Sequence, residues 1–155
     1  MTPGIKLARQ HKITHRLHEY VHDESNESYG LEAAEKLGVA KERIFKTLVV
    51  LLDNKELAVG ILPVSLRLSM KAMSKALGAK KAVMASKLDV ERSTGYVLGG
   101  VSPLGQKKRL RSVIDSSAEQ YPTIYVSAGR RGLEIELSPG DLTRLTKSLI
   151  AEIGQ

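Results

Sequence analysis

The amino-acid sequence predicts an α+β fold, in which one domain over residues 1–155 has a central mixed β-sheet flanked by helices. The chain has 155 residues, of which 42% are hydrophobic, and this length and composition suit one domain with a substantial core. Strand-like and helix-like segments are mixed along the chain without strict alternation. That order favours a single mixed sheet over a doubly wound parallel sheet.

The first half of the chain is predicted to contain three helices and three strands. Thr2 and Pro3 suit the N-cap and the first position of a helix, because proline lacks the N–H that is unpaired there. Asp53 and Asn54 supply the turn of a β-hairpin between two apolar runs. The predicted elements are a helix over 3–11, a strand over 14–22, a helix over 28–38, strands over 44–52 and 56–63, and a helix over 65–78.

The second half is predicted to contain three strands between two helices. Ser86 and Asp89 resemble a capping box, which opens a short helix. Ser138, Pro139 and Asp141 occupy the N-cap, N1 and N3 positions of a last helix. The strands are predicted over 110–115, 123–127 and 133–137, and the last helix over 138–153.

Basic residues give the chain a net charge of +7 at pH 7 and cluster at 79–83, 105–111 and 129–132. Clustered lysine and arginine attract phosphate whatever the base sequence, which favours nucleic acid as partner or substrate. A solvated basic surface is the alternative interpretation. Aromatic residues make up 4% of the chain, so a stacking platform for single strands is poorly supported. The candidate phosphate contacts are Lys107, Lys108, Arg109, Arg130 and Arg131.

Several classes of protein are disfavoured by what the sequence lacks. The chain has no cysteine, which excludes disulfides, thiolate metal sites and a cysteine nucleophile. No segment approaches the ~18 uninterrupted apolar residues of a membrane helix, and the N-terminus lacks the apolar centre of a signal peptide. We therefore expect a soluble, cytoplasmic protein that does not associate with membranes.

The motifs of familiar catalytic and cofactor sites are also missing. The serine elbow G-x-S-x-G, the P-loop and the dinucleotide fingerprint do not occur. Four histidines would share one face of a helix and suggest a metal site, but the β-branched and aromatic residues between them favour a strand, which divides them between two faces. We expect neither metal nor cofactor. The histidines are His11, His15, His18 and His22.

The segment 93–105, STGYVLGGVSPLG, contains four glycines and no charged residue. Glycine costs about 0.5–1 kcal/mol relative to alanine in regular structure, so this density needs a reason. Turns alone are one explanation. The other is that the exposed backbone N–H groups hold a carbonyl oxygen or carboxylate, as in an oxyanion hole.

Lys46 interrupts an apolar strand both of whose faces are hydrophobic. Alternate residues share a face, so Lys46 lies on the same side as Leu48, Val50 and Leu52. One interpretation is that its side chain reaches the surface along the strand. The functional interpretation is an ammonium group held in a pocket, where it binds an anion or polarises a carbonyl.

Three separated motifs resemble the YbaK family of Cys-tRNA(Pro) deacylases. They are FKTL at 45–48, GYVLGGVSPLGQKKR at 95–109 and IYVSAGRRGLEIEL at 124–137. The resemblance covers nearly the whole chain, and the family is related to the editing domain inserted in bacterial prolyl-tRNA synthetases. It implies a free-standing enzyme that clears cysteine from proline tRNA, and also from cysteine tRNA, by cleaving the aminoacyl ester.

The resemblance also implies which residues form the site. Lys46 matches the essential lysine of the family, and the GGVSP loop supplies Gly100 as a second catalytic residue. The implied mechanism is attack by the thiol of the substrate cysteine on its own ester carbon, which leaves a cyclic thiolactone. The implied substrate-binding residues are Tyr20, Gly99, Val101, Ser102, Ser127, Gly129 and Glu134.

The implied partner is the aminoacylated acceptor end of tRNA, with recruitment of prolyl-tRNA synthetase in trans left open. Three other functions stay open as well. They are a basic nucleic-acid-binding module without catalysis, a deacylase for another mischarged amino acid, and a hydrolase of small acyl esters.

Overall fold

The computed structural model describes residues 1–26 and 29–155, so the predicted start of the second helix at Ser28 lies outside the described residues. Five α-helices and eight strands are formed in this part of the chain. The helices are α1 Pro3–Gln10, α2 Tyr29–Leu37, α3 Met70–Ala76, α4 Lys87–Thr94 and α5 Pro139–Thr146. The strands are β1 His15–Glu19, β2 Phe45–Leu52, β3 Glu56–Pro63, β4 Ala82–Met84, β5 Arg111–Asp115, β6 Ile124–Arg130, β7 Leu133–Leu137 and β8 Leu149–Ala151.

The α+β class is confirmed, but the described strands divide between two sheets rather than forming one. The larger sheet is mixed, with the order β4-β2-β3-β5-β8, and the smaller sheet is antiparallel, with the order β1-β7-β6. A parallel bridge between Ile44 and Tyr125 joins them. The first residues of β2 therefore lie beside β6, where the two sheets meet.

The two faces of β2 are both buried, as the sequence predicts. Phe45 and Val49 belong to the main core cluster, together with residues of β6 and β7 from the smaller sheet. Val50 and Leu52 belong to a second cluster, which packs against α3. Because hydrophobic residues fill both sides of this strand, a lysine within it is held close to the core.

The prediction of one helix over 138–153 is wrong in its second half. Helix α5 ends at Thr146, and Lys147 adopts a left-handed conformation with φ +53° that turns the chain away. Residues 149–151 then pair in parallel with β5. The carboxylate of Asp115 accepts hydrogen bonds from the backbone N–H of Ile153 and of Gly154, each 2.9 Å from Oδ1. These bonds satisfy N–H groups that a helix would otherwise pair internally.

The predicted helix over 65–78 begins later, at Met70, and strand β4 is absent from the sequence prediction. The hydroxyl of Ser69 accepts a hydrogen bond from the N–H of Ala72 and caps the helix at this point. Arg67, before the cap, pairs instead with Gln155 through two backbone hydrogen bonds of 2.8 and 3.0 Å. No helix in the described residues is long and apolar enough to cross a membrane.

Candidate active site

A cavity of about 420 Å³ opens where the two sheets meet. It is enclosed by the first half of β2, the start of α2, the glycine segment, the second half of β6 and the start of β7. Most lining side chains are apolar, and a volume in this range is typical of a small-molecule site. The polar side chains that line the cavity are Tyr20, Tyr29, Lys46, Thr47, Ser127, Arg130, Arg131 and Glu134.

Lys46 lines the cavity from β2, opposite Leu62 of β3. Its side chain is half-buried, and among residues 1–26 and 29–155 no carboxylate lies within ion-pair distance of it. Burial lowers the pKa of the ammonium group, and the positive charge of Arg67 lowers it further. In the described part of the chain, Lys46 therefore lacks a neutralising carboxylate, which suits the binding of an anion or a developing oxyanion.

Glu134 lies on β7, where it faces Ser127 on one neighbouring strand and His18 on the other. The residue is 7% exposed, and burial raises the pKa of its carboxyl to about 8. A carboxyl with this pKa is mostly protonated at pH 7, so it can donate a hydrogen bond. The cavity thus combines a charged ammonium with a neutral carboxylic acid.

Tyr20 and Ser127 complete the polar wall of the cavity. Burial, and after it the charge that Glu134 carries above its own pKa, raise the pKa of Tyr20 to about 12. The phenol therefore remains a neutral hydroxyl across the physiological range. The hydroxyl of Ser127 accepts a hydrogen bond from the N–H of Gly129, 3.1 Å away.

The glycine segment is packed against protein rather than against the cavity at Gly100. A Cβ atom there would lie 2.9 Å from the Cα of Arg130, and the N–H of Gly100 donates to the carbonyl of Val97, 2.9 Å away. That N–H is already paired, and Gly100 does not line the cavity. The structure gives Gly100 a packing role, and its role as a catalytic residue stays a prediction.

Gly99 and Val101 do line the cavity, on either side of Gly100. Gly99 has φ +94°, and a Cβ atom there would lie 2.7 Å from the guanidinium of Arg131. Both glycines thus make room for the end of β6 and for the turn that follows it.

Ser102 and Gly129 also lie outside the cavity lining. Ser102 is fully buried, and its hydroxyl accepts a hydrogen bond from the N–H of Leu104, 3.1 Å away. At Gly129, with φ +123°, a Cβ atom would lie 2.8 Å from the ring of Tyr96. Both residues have local packing contacts, and their predicted substrate contacts stay predictions.

The predicted phosphate contacts fall into two groups. Arg130 and Arg131 line the cavity at its exposed edge. Lys107, Lys108 and Arg109 are exposed but belong to the loop before β5, outside the cavity lining. Arg130 and Arg131 are therefore close enough to contact a ligand in the cavity. The three residues of the loop can contact only a part of the ligand that lies outside the cavity.

The histidines occupy separate environments. His18 lies 2.9 Å from Glu136, and His22 lies 2.6 Å from Glu32. No group of three potential metal ligands occurs in the described part of the chain.

Sequence reasoning missed Thr47 and Tyr29, which also line the cavity. The hydroxyl oxygen of Thr47 is buried and has no hydrogen-bond partner among the described residues. The position of Thr47 next to Lys46 in the sequence was a local signal for Thr47. No local signal existed for Tyr29, because it reaches the cavity through the packing of α2.

Comparisons with known proteins agree with this fold. Residues 26–145 match the model of the aminoacyl-tRNA editing domain. The chain is 40% identical over 152 residues to an Enterococcus faecalis protein named "Putative Cys-tRNA(Pro)/Cys-tRNA(Cys) deacylase EbsC", covering 98% of this chain and 92% of that protein. YwhH of Bacillus subtilis is 29% identical, covering 77% of this chain and 75% of YwhH. The chain therefore belongs to the aminoacyl-tRNA editing domain family.

Solved structures share the whole fold. The hypothetical protein APE2540 is 26% identical, with a TM-score of 0.88 over 99% of this chain and 100% of its own. A crystal structure described as "a putative trans-editing enzyme for prolyl tRNA synthetase" is 21% identical, with a TM-score of 0.83 over 100% of this chain and 99% of its own. The second likeness shows the fold alone.

Proposed function

We propose that the protein, as one domain over residues 1–155, is a free-standing deacylase that cleaves cysteine from Cys-tRNA(Pro) and also from Cys-tRNA(Cys). The named activity of the Enterococcus faecalis relative supports this proposal, as does membership of the editing family. The main structural support is the cavity, which is lined by a neutral Glu134 and by Lys46, a lysine with no carboxylate partner among the described residues. The proposed site of action is the cytoplasm, because it contains aminoacyl-tRNA.

The proposed chemistry uses the nucleophile of the substrate. The cysteine thiol loses its proton as its sulfur attacks the ester carbon, the bond to the 3′-terminal ribose oxygen breaks, and that oxygen takes up a proton. The products are a cyclic thiolactone and free tRNA. This route suits a chain with no cysteine of its own, because the protein then has only to hold the substrate in the reactive conformation and stabilise the oxyanion.

Each polar group of the cavity has a role in this proposal. Lys46 binds the ribose end of the substrate and stabilises the negative charge that develops on the carbonyl oxygen of the ester. The neutral carboxyl of Glu134 donates a hydrogen bond, and Tyr20 and Ser127 orient the aminoacyl group. Val101 contributes to the apolar wall.

Contacts outside the cavity complete the proposed complex. Lys107, Lys108 and Arg109 contact phosphates of the acceptor stem, because they are exposed cations on one loop. A prolyl-tRNA synthetase that binds the same tRNA in trans would supply selectivity for the tRNA.

The test is turnover of purified Cys-tRNA(Pro) by catalytic amounts of the protein, compared with Lys46→Ala and with Lys75→Ala as a control. Lys75 is an exposed lysine on α3, so its loss removes the same charge away from the cavity. We expect multiple turnovers by the native protein and the control, with thiolactone among the products, and turnover slower by about a hundredfold or more for Lys46→Ala. Tight binding of the tRNA without turnover would contradict the proposal and favour a non-catalytic binding module.

A further inference from the structure

Arg131 is held in a fixed orientation at the mouth of the cavity. Its guanidinium carbon lies 3.6 Å from the centre of the Tyr29 ring, and one of its nitrogens donates a hydrogen bond to the Tyr29 hydroxyl. A second nitrogen lies 3.3 Å from Nε2 of His22. Gly99 makes this position possible, because a Cβ atom there would lie 2.7 Å from the guanidinium.

A buried carboxylate fixes the ring of His22 in turn. Oε1 of Glu32 lies 2.6 Å from Nδ1 of His22, and Glu32 is 1% exposed. Burial alone would raise the pKa of Glu32, but hydrogen bonds from His22, from the N–H of Asp23 and from Lys36 outweigh it and lower the pKa. A hydrogen bond to the ionised carboxylate places a proton on Nδ1, and in that tautomer Nε2 is the nitrogen that can accept from Arg131.

Among the described residues, the contacts of Arg131 include no carboxylate. Tyr29 and the neutral form of His22 carry no charge, and within 1–26 and 29–155 no carboxylate lies within ion-pair distance of Arg131. The neighbouring Arg130 differs, because it lies 3.7 Å from the carboxylate of Glu19. A guanidinium has five N–H donors, and these two contacts use two of them.

We propose that Arg131 binds the phosphate of the 3′-terminal nucleotide of tRNA, and that Tyr29, His22 and Glu32 are positioning residues for it. An arginine whose fork is oriented in advance, and which has no carboxylate partner among the described residues, suits phosphate, which it can bind through two parallel hydrogen bonds. The remaining donors can make these bonds while the contacts to Tyr29 and His22 persist. This inference rests on the proposed function, since it assumes that an acceptor end enters the cavity.

Binding of labelled, uncharged tRNA(Pro) tests the inference without any need for catalysis. Arg131→Gln is compared with Arg144→Gln, which removes an exposed arginine on α5 that lines a separate cavity. A charge-assisted hydrogen bond is worth enough that we expect Arg131→Gln to raise Kd about tenfold or more. We expect it also to lower the magnitude of the salt slope by about 0.7, and Arg144→Gln to change neither. Equal Kd values and slopes for the two variants would overturn the phosphate contact.

The positioning residues are tested by conservative substitutions in the same assay. Tyr29→Phe keeps the ring under the guanidinium and should raise Kd less than Tyr29→Ala, while Arg131→Lys should not restore native binding because it loses the planar fork. His22→Ala should raise Kd. Its salt slope should equal that of the native protein, because the substitution removes no phosphate contact.

With aminoacylated tRNA, the change caused by His22→Ala should appear in KM rather than in kcat. Melting temperatures are measured on every variant, and Tyr29→Phe and Arg131→Lys keep the test usable where an alanine variant does not fold. Native binding by His22→Ala would overturn the positioning role. Failure of the native protein to deacylate would remove the proposed function, yet the dependence of tRNA binding on Arg131 would still decide this inference.

Discussion

Gly100 and Arg130 are in backbone contact, so that a Cβ atom on Gly100 would lie 2.9 Å from the Cα of Arg130. The glycine segment and the end of β6 therefore fit together only because Gly100 has no side chain. The group that leaves no room for a side chain at Gly100 is the protein's own backbone. This contact sets the position of Gly99, Val101 and Arg131 around the cavity.

Gly100→Ala is accordingly expected to destabilise the fold. The added methyl group meets backbone atoms, which cannot move aside as a flexible side chain can, and overpacking of this kind costs about 1–3 kcal/mol. Urea unfolding of the variant measures the loss. Gly140→Ala is the matched control, because nothing lies within 4 Å of a Cβ there. Equal stability of the two variants would contradict the packing role of Gly100.

Lys46→Ala is expected to reduce deacylation of Cys-tRNA(Pro) about a hundredfold or more, the scale seen when one oxyanion contact is removed. The fold should be as stable as the native one or more so, because the half-buried ammonium forms no ion pair with any residue that the structure describes. Lys46→Arg should recover little activity, since the flat guanidinium does not replace a compact ammonium. Single-turnover rates and melting temperatures on the same samples check these outcomes. A folded Lys46→Ala variant with native activity would exclude the lysine from the mechanism.

Glu134→Gln is expected to change how stability depends on pH. The pKa of Glu134 is about 8 in the folded protein and about 4.5 in an unfolded chain, so the folded state binds more protons between these values. Stability from this group therefore falls as pH rises from about 4.5 to 8, by up to about 1.4 kcal/mol per pH unit, and levels off above 8. The neutral amide of glutamine has no such dependence.

Free energies of unfolding at pH 5, 7 and 9 for the native protein and the variant measure this difference. We expect the variant to gain on the native protein as pH rises. A constant difference across the range would mean that Glu134 titrates normally.

The exposed basic loop is expected to contribute to tRNA affinity through phosphate contacts. Each of Lys107→Gln, Lys108→Gln and Arg109→Gln should lower the magnitude of the salt slope of tRNA binding by about 0.7–0.9. Lys71→Gln and Lys75→Gln on α3 are controls of equal charge on another element. If the loop variants and the α3 variants have equal salt slopes, the net charge of the protein, and not this loop, determines the salt dependence of binding.

Much of the fold could be predicted from local signals. The caps at Thr2, Ser86 and Ser138 mark helix starts that the structure retains, since each hydroxyl accepts a backbone N–H three residues on. Strand β8 could not be predicted, because residues 149–151 have no strand signal that outweighs the helical spacing before them. Their conformation depends on pairing with β5 and on the carboxylate of Asp115, both distant in sequence.

The candidate site divides in the same way. Lys46 could be identified because a cation inside an apolar strand is visible in the sequence itself. The contact of Arg131 with Tyr29 and His22 could not, because it joins segments about a hundred residues apart. Glycines 99 and 100 were noticeable locally, but what lies against them is decided by tertiary packing.

The central claim is that the cavity selects cysteine on tRNA and cleaves its ester. The most direct measurement is the initial rate of deacylation of one tRNA(Pro) preparation esterified in turn with cysteine, alanine or proline. The account predicts rapid cleavage of the cysteinyl ester and background rates for the other two, because alanine and proline have no thiol to attack the ester carbon. Cleavage of alanyl or prolyl ester as fast as cysteinyl ester, or of none above background, would contradict it.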